Sequence, residues 1–146
     1  MISFSCPSRG RPELAKRLVD TATETQYGET EFLFYLNDDD PKLEQYKDLL
    51  DEKLYTVGPK QSTCYSWNLM CEKATNDVVM LMGDDVRVQT KDWDKLIVNE
   101  INKYVDRILM VVPSDGRIKT SGKLGNEPKL WGDEPLGAAH FAVHKN

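Results

Sequence analysis

The chain lacks any apolar stretch near the ~20 residues needed to cross a bilayer, so a membrane-spanning helix is not expected in its 146 residues. Its opening residues, Met1-Ile2-Ser3-Phe4, carry neither the basic start nor the long apolar segment of a secretory signal, and a cytoplasmic location is the expectation. Cysteine is scarce. Cys6, Cys64 and Cys71 show no metal-ligand spacing, and their odd number argues for free thiols in a reducing compartment. Positive charge is in deficit: the formal net charge is −5, which argues against general nucleic-acid binding through a basic surface and leaves room only for a local basic patch. Two phosphate-binding signatures are also missing. There is no Gly-x-x-x-x-Gly-Lys loop and no Gly-x-Gly-x-x-Gly turn, so P-loop ATPase and dinucleotide-dependent dehydrogenase readings lose support. With no internal repeat and no linker, residues 1–146 read as one domain with one core.

What is present is an alternation of strand-like and helix-like segments. Ile2 to Cys6 reads as a short strand closed by Pro7, and Pro12 opens a helix whose Leu14, Ala15, Leu18, Val19 and Ala22 recur at helical spacing. Phe32-Leu33-Phe34-Tyr35-Leu36 is an unbroken apolar run, as expected of a strand covered on both faces. Pro41 opens a second helix to about Glu52, and Leu54 to Val57 is a third strand. Ser62 is placed to cap a third helix running to about Ala74, with Trp67, Met70, Cys71 and Ala74 as its apolar stripe. Val78 to Met82 is a buried strand that Val86 to Val88 briefly continues. Trp93, Leu96, Ile97, Ile101, Tyr104 and Val105 mark a fourth helix, Ile108 to Val112 a strand, and Ala138 to Val143 a last strand. This order predicts an α/β fold: a mainly parallel sheet with helices on both faces.

In such sheets ligands bind at the carboxyl ends of the strands, and three polar turns fall there. Pro7-Ser8-Arg9-Gly10-Arg11-Pro12 follows the first strand. Its two arginines suit a phosphate or the nearby carboxylates, and the helix start adds N–H groups and partial positive charge. Asn37-Asp38-Asp39-Asp40-Pro41 follows the second. Asp40 before Pro41 is a structural helix-start pair, which leaves Asn37, Asp38 and Asp39 for a base or a ribose hydroxyl, with a solvated acidic turn as the competing reading. Gly83-Asp84-Asp85 follows the fourth. Adjacent carboxylates raise each other's energy, and a hard divalent cation such as Mn2+ or Mg2+ relieves it. Asn68 lies off the third helix's apolar stripe, free to face the same edge. His140 and His144, at even spacing on a strand, share a face and suit a metal or a phosphate.

The ordered set of Pro7-Ser8-Arg9-Gly10-Arg11-Pro12, Asn37-Asp38-Asp39-Asp40, Ser66-Trp67-Asn68, Met82-Gly83-Asp84-Asp85-Val86 and the Trp93-Asp94 helix start resembles the GT-A-fold glycosyltransferases, specifically the family 2-like group. The resemblance covers residues 1–112 well, and the C-terminal part only through Gly137-Ala138-Ala139-His140-Phe141. It implies a single GT-A domain with a nucleotide-sugar-binding half at 1–112 and a lid loop with a partial acceptor side at 113–146, short or truncated at its C-terminal end. It implies a metal-dependent transferase moving a sugar from a nucleoside-diphosphate sugar, a UDP-sugar being favoured, to an unknown hydroxyl acceptor, with inversion. In such enzymes an Asp-x-Asp-type motif holds Mn2+ or Mg2+ against the diphosphate. Asp84 and Asp85 match it, although the usual first acid falls at Met82 or Gly83, which leaves Asp85 the first-choice ligand and Asp84 the second. The resemblance also sets Pro7, Ser8, Arg9 and Arg11 against the nucleotide, Asp38 or Asp39 on the uracil or ribose, and His140 or His144 on the metal or diphosphate.

Glycosyl transfer further needs a general base for the acceptor hydroxyl. Asp133 or Glu134, in the long polar segment of residues 114–136, is the candidate, with a solvated acidic turn as the competing and favoured reading. That segment holds Arg117, Lys119, Lys123 and Lys129 beside four glycines, which suits a lid closing over the donor and equally a plain disordered loop. A nucleotidyltransferase, or a non-catalytic sugar-nucleotide-binding module, is the alternative.

Overall fold

The computed structural model describes residues 1–108, 110–112, 123–124, 127–128 and 141–145. Strand β1 (Ile2–Ser8) leads into helix α1 (Pro12–Thr25), and β2 (Thr30–Asn37) into α2 (Leu43–Leu49). A short 3-10 turn (Glu52–Leu54) precedes β3 (Tyr55–Gly58), which is followed by α3 (Thr63–Lys73), β4 (Val78–Leu81) and α4 (Trp93–Ile101). Four short strands complete the described chain: β5 (Met110–Val111), β6 (Lys123–Leu124), β7 (Glu127–Pro128) and β8 (Phe141–His144). The main sheet has the order β3-β2-β1-β4-β8-β5, and β6 and β7 form a separate antiparallel pair.

The expected parallel sheet is present in β3, β2, β1 and β4, which all run one way. β8 lies antiparallel to both β4 and β5 and separates them. Alternation along the strands divides the residues between two helical layers. Ile2, Phe4 and Cys6 of β1, Phe32, Phe34 and Leu36 of β2, and Val78, Met80 and Met82 face one layer, where Ala15, Leu18 and Ala22 of α1, Tyr46 of α2 and Trp93, Ile97 and Ile101 of α4 close the core. Phe4 stacks on Trp93 with ring centroids 4.9 Å apart, and Trp93 Nε1 donates to the Ala22 carbonyl. Stacking of this kind adds about 1 kcal/mol to the area term. On the opposite face, Ser3 and Ser5 of β1 are fully buried on the side of α3, and Ser5 Oγ donates to the Trp67 carbonyl. Ser62 caps α3 as expected, its hydroxyl accepting from Tyr65 N–H.

Several boundaries differ from the sequence reading. Val86 to Val88 is not a strand. It alternates because Val86 and Val88 pack on the core while the backbone passes over α1, where Val88 N–H donates to Thr21 Oγ1. α2 begins at Leu43 rather than Pro41 and ends at Leu49, because Asp51 caps the following 3-10 turn through Lys53 N–H. α4 stops at Ile101, leaving Tyr104 and Val105 exposed rather than on an apolar stripe, and β5 is confined to Met110–Val111. Trp67 is half-buried rather than a core residue. No helix among the described residues is long and apolar enough to cross a membrane.

Candidate functional site

Because β1, β2 and β4 are parallel, the turns after them meet at one sheet edge. Their side chains are connected there. Gly10, at φ +70°, turns the chain between the two arginines, a conformation that suits glycine. Its N–H donates to Asp40 Oδ2 at 2.7 Å, while Asp40 Oδ1 accepts from Lys42 N–H. Asp40 is therefore structural, but as a tie between the first and second turns rather than as the cap of α2. Arg9 pairs with Asp39, both largely exposed; that contact draws the Asp39 carboxyl below its ordinary range and raises the Arg9 guanidinium. Asp38 is exposed, and its N–H donates to the Gly58 carbonyl. Asn37 is buried, and its Nδ2 has no hydrogen-bond partner among the described residues.

Asp84 is the centre of the arrangement. It is fully buried, at 0% exposure. A directed chain of hydrogen bonds ends on it. Arg11 N–H donates to Tyr46 Oη at 2.9 Å, which leaves the Tyr46 hydroxyl to donate to Ser8 Oγ at 2.6 Å, and Ser8 donates to Asp84 Oδ2 at 2.5 Å. Burial pushes the Tyr46 phenol above its ordinary value, so it keeps the proton that this chain requires. The other oxygen, Asp84 Oδ1, forms an ion pair with Arg11 Nη2 at 2.5 Å and has no further partner among the described residues. Burial raises the Asp84 carboxyl above its usual range and neighbouring Asp85 adds to this, while Ser8 and Arg11 pull the other way. Burial, with the Asp84 charge adding, raises the nearby Cys6 thiol well above its ordinary value, which keeps it protonated and inert.

Asp85 is exposed, and its carbonyl accepts from Arg17 Nη2 at 2.9 Å. The pair suits a hard cation. One buried carboxylate oxygen has only a half-exposed guanidinium as partner and the next residue is an exposed carboxylate, and Mg2+-type sites commonly take one or two carboxylates and complete their shell with phosphate oxygens and water. Among the described residues no group of three or more His, Cys, Asp and Glu is arranged to hold a metal.

Of the other expected site residues, Pro7 lies within β1, level with Tyr35 of β2. Asn68 is exposed on α3. His144 is not brought to this edge. It pairs in register with Val78, the first residue of β4, at the opposite end of the sheet from Asp84, and lies 3.1 Å from Arg107 Nη1. A strand running antiparallel to β4 carries its last residue away from the site, so the even spacing of the histidines does not place His144 on a metal at Asp84. Asp133, Glu134 and His140 lie outside the described residues, as does most of the expected lid. Tyr46 is the functional-site residue that the sequence reading passed over; its signal is a single aromatic in the charged stretch Glu44-Gln45-Tyr46-Lys47-Asp48.

No protein-family model matches the chain, and no curated protein matches its sequence. Solved structures do match. The mannosyltransferase PcManGT from Pyrobaculum calidifontis, in complex with GDP-Man and Mn2+, aligns with a TM-score of 0.54 at 13% identity, covering 66% of this chain and 31% of that one. S. aureus TarS 1-349 aligns with a TM-score of 0.51 at 15% identity, covering 70% and 32%. The chain thus spans about a third of the length of each, at 31% and 32%. Over the aligned part, the mixed α/β sheet with its helices has a glycosyltransferase-like fold.

Proposed function

We propose that this chain carries the donor-binding part of a metal-dependent GT-A glycosyltransferase of the family 2-like group, which transfers a sugar from a nucleoside-diphosphate sugar to a hydroxyl acceptor. The observation that carries the reading is the convergence, at the carboxyl edge of a sheet with a glycosyltransferase-like fold, of Arg9 and Arg11, Asn37 to Asp39, and Asp84-Asp85. The donor complex of the mannosyltransferase neighbour, with GDP-Man and Mn2+, favours this over nucleotidyl transfer.

In this reading the diphosphate lies over the Arg9–Arg11 turn, at the start of α1. Guanidinium groups there meet phosphate oxygens in the fixed fork that suits them. Asp84 and Asp85 would hold Mn2+ or Mg2+, which supplies Lewis-acid neutralisation of the charge growing on the leaving diphosphate. The unpaired Asn37 Nδ2 and the exposed Asp38 and Asp39 offer a donor and acceptors to the nucleoside. Ser8 and Tyr46 keep Asp84 oriented. The base for the acceptor is Asp133 or Glu134, and with a base on the far side of the sugar from the diphosphate the reaction inverts.

A thermal-shift panel of UDP, GDP and their sugar conjugates, with and without Mn2+, tests the reading. An upward shift of several degrees for one nucleotide, larger with Mn2+, is expected. Turnover then releases free nucleoside diphosphate. Pyrophosphate release identifies a nucleotidyltransferase instead, and the absence of a shift across the whole panel overturns the donor site.

A further inference from the structure

We propose that Arg11 is an exchangeable counter-ion: its guanidinium neutralises Asp84 until a divalent cation takes its place, and then moves to the nucleotide diphosphate, so that metal and nucleotide bind as a coupled pair. The inference rests on the donor-site reading above and adds a dependence between its two ligands.

Three features of the geometry support an exchange rather than a permanent ion pair. The backbone of Arg11 is fixed, because its N–H donates to Tyr46 Oη, and Arg11 caps α1. Its side chain is held at one point: it is 50% exposed and meets Asp84 Oδ1 through a single guanidinium nitrogen at 2.5 Å. A half-exposed guanidinium leaving such a contact gives up one charged partner and is rehydrated in exchange. Asp84 cannot follow it, because its Oδ2 is held by Ser8 at 2.5 Å, and Ser8 in turn by Tyr46. The anion stays in place and the cation is replaceable. Arg9 differs in this respect, since it reaches Asp39 with both a side-chain and a backbone hydrogen bond.

The exchange has a thermodynamic consequence. Two cations compete for Asp84 Oδ1, and a guanidinium held there repels an incoming divalent ion. A diphosphate draws the guanidinium away and brings oxygens that complete the metal's shell. Each ligand therefore favours the other, and by linkage the enhancement is the same in both directions.

The test is Mn2+ binding to the full chain, read from the electron paramagnetic resonance signal of free Mn2+ at pH 8, with no turnover involved. Titrations are run with no nucleotide, with GDP and with UDP, each corrected for Mn2+–nucleotide complexes in protein-free buffer. Wild type, Arg11→Gln and Arg11→Lys are compared, with circular dichroism confirming the fold. Arg11→Gln is expected to bind Mn2+ alone more tightly than wild type by about 5-fold or more, the lower end of typical coupling factors. The enhancement by the effective nucleotide should shrink by a similar factor. Arg11→Lys keeps the charge and should resemble wild type. If wild type binds Mn2+ with a nucleotide but Arg11→Gln binds Mn2+ alone no more tightly than wild type does, the exchange is overturned while the donor site stands. If wild type takes up no Mn2+ with either nucleotide, the metal site itself fails and the exchange fails with it.

Discussion

Asp84 and Asp94 are both buried aspartates, at 0% and 5% exposure, and they are held in opposite ways. Asp94, in the first turn of α4, accepts from Tyr27 N–H through Oδ1 at 2.7 Å and from Gly28 N–H through Oδ2 at 2.8 Å. Burial pushes its carboxyl up, but these bonds and a further one from Lys95 N–H outweigh burial and draw it below the ordinary value. Asp84 receives one hydroxyl and one guanidinium nitrogen, and burial prevails. Depth alone does not decide the state of a carboxylate; the number of aimed N–H groups does. Asp94 is fully satisfied and joins α4 to the turn before β2. Asp84 has one oxygen whose partner is the half-exposed Arg11 guanidinium.

The comparison breaks most visibly at Asp94. Asp94→Ala removes the acceptor of the partly buried Tyr27 and Gly28 N–H groups and should cost about 2 kcal/mol in urea denaturation, the lower end of roughly 1–3 kcal/mol for each group. Asp84→Asn should change stability by no more than about 1 kcal/mol, because losing the Arg11 pair is offset by relief from burying a charge; the same variant should abolish the Mn2+-dependent part of any nucleotide-induced thermal shift. Opposite slopes with pH sharpen the contrast. Asp94 has a lowered folded value, so its contribution is present above the ordinary value of 3.8 and lost as pH falls below it. Asp84 has a raised folded value, so its ionised form weakens the fold above that value, and the penalty is relieved as pH falls toward 3.8. Urea midpoints across this range should therefore lose part of their acid-side fall in Asp94→Asn and part of their neutral-side penalty in Asp84→Asn. Tyr46→Phe should likewise cost about 1 kcal/mol, the net value of a typical hydrogen bond, and have the smallest effect on the metal: Mn2+ binding weakens as Ser8 and Asp84 lose their orientation.

Local patterns carried much of this arrangement. The Phe32 to Leu36 run, the Pro12 helix start and the Ser62 cap are each decided within a few residues, and each is where the sequence indicates. The strand-end rule brought the three turns to one edge because parallel pairing follows from strand-helix alternation. What escaped depends on pairing and packing at long range. The position of His144 is fixed by β8 entering the sheet in reverse, a direction that residues 141–144 do not encode by themselves. Val86 and Val88 alternate as a strand would, yet they cover a helix. Tyr46 belongs to the site only because α2 packs beside α1, which brings its hydroxyl to Ser8 and to the Arg11 backbone. Asp94 reads as an ordinary first-turn acid until the Tyr27–Gly28 turn is laid against it.

The reversed strand also has a consequence for synthesis. Among the described residues β5 has no ladder partner except β8, and the free edge of β4 is covered by the same four residues. Translation delivers β4 and β5 well before Phe141–His144, so that side of the sheet closes only after nearly every other described element has left the ribosome. Contacts between residues this far apart in sequence form slowly. Until then the open side of β4, next to the acidic pair, displays unpaired backbone groups at which the nascent chain can pair wrongly.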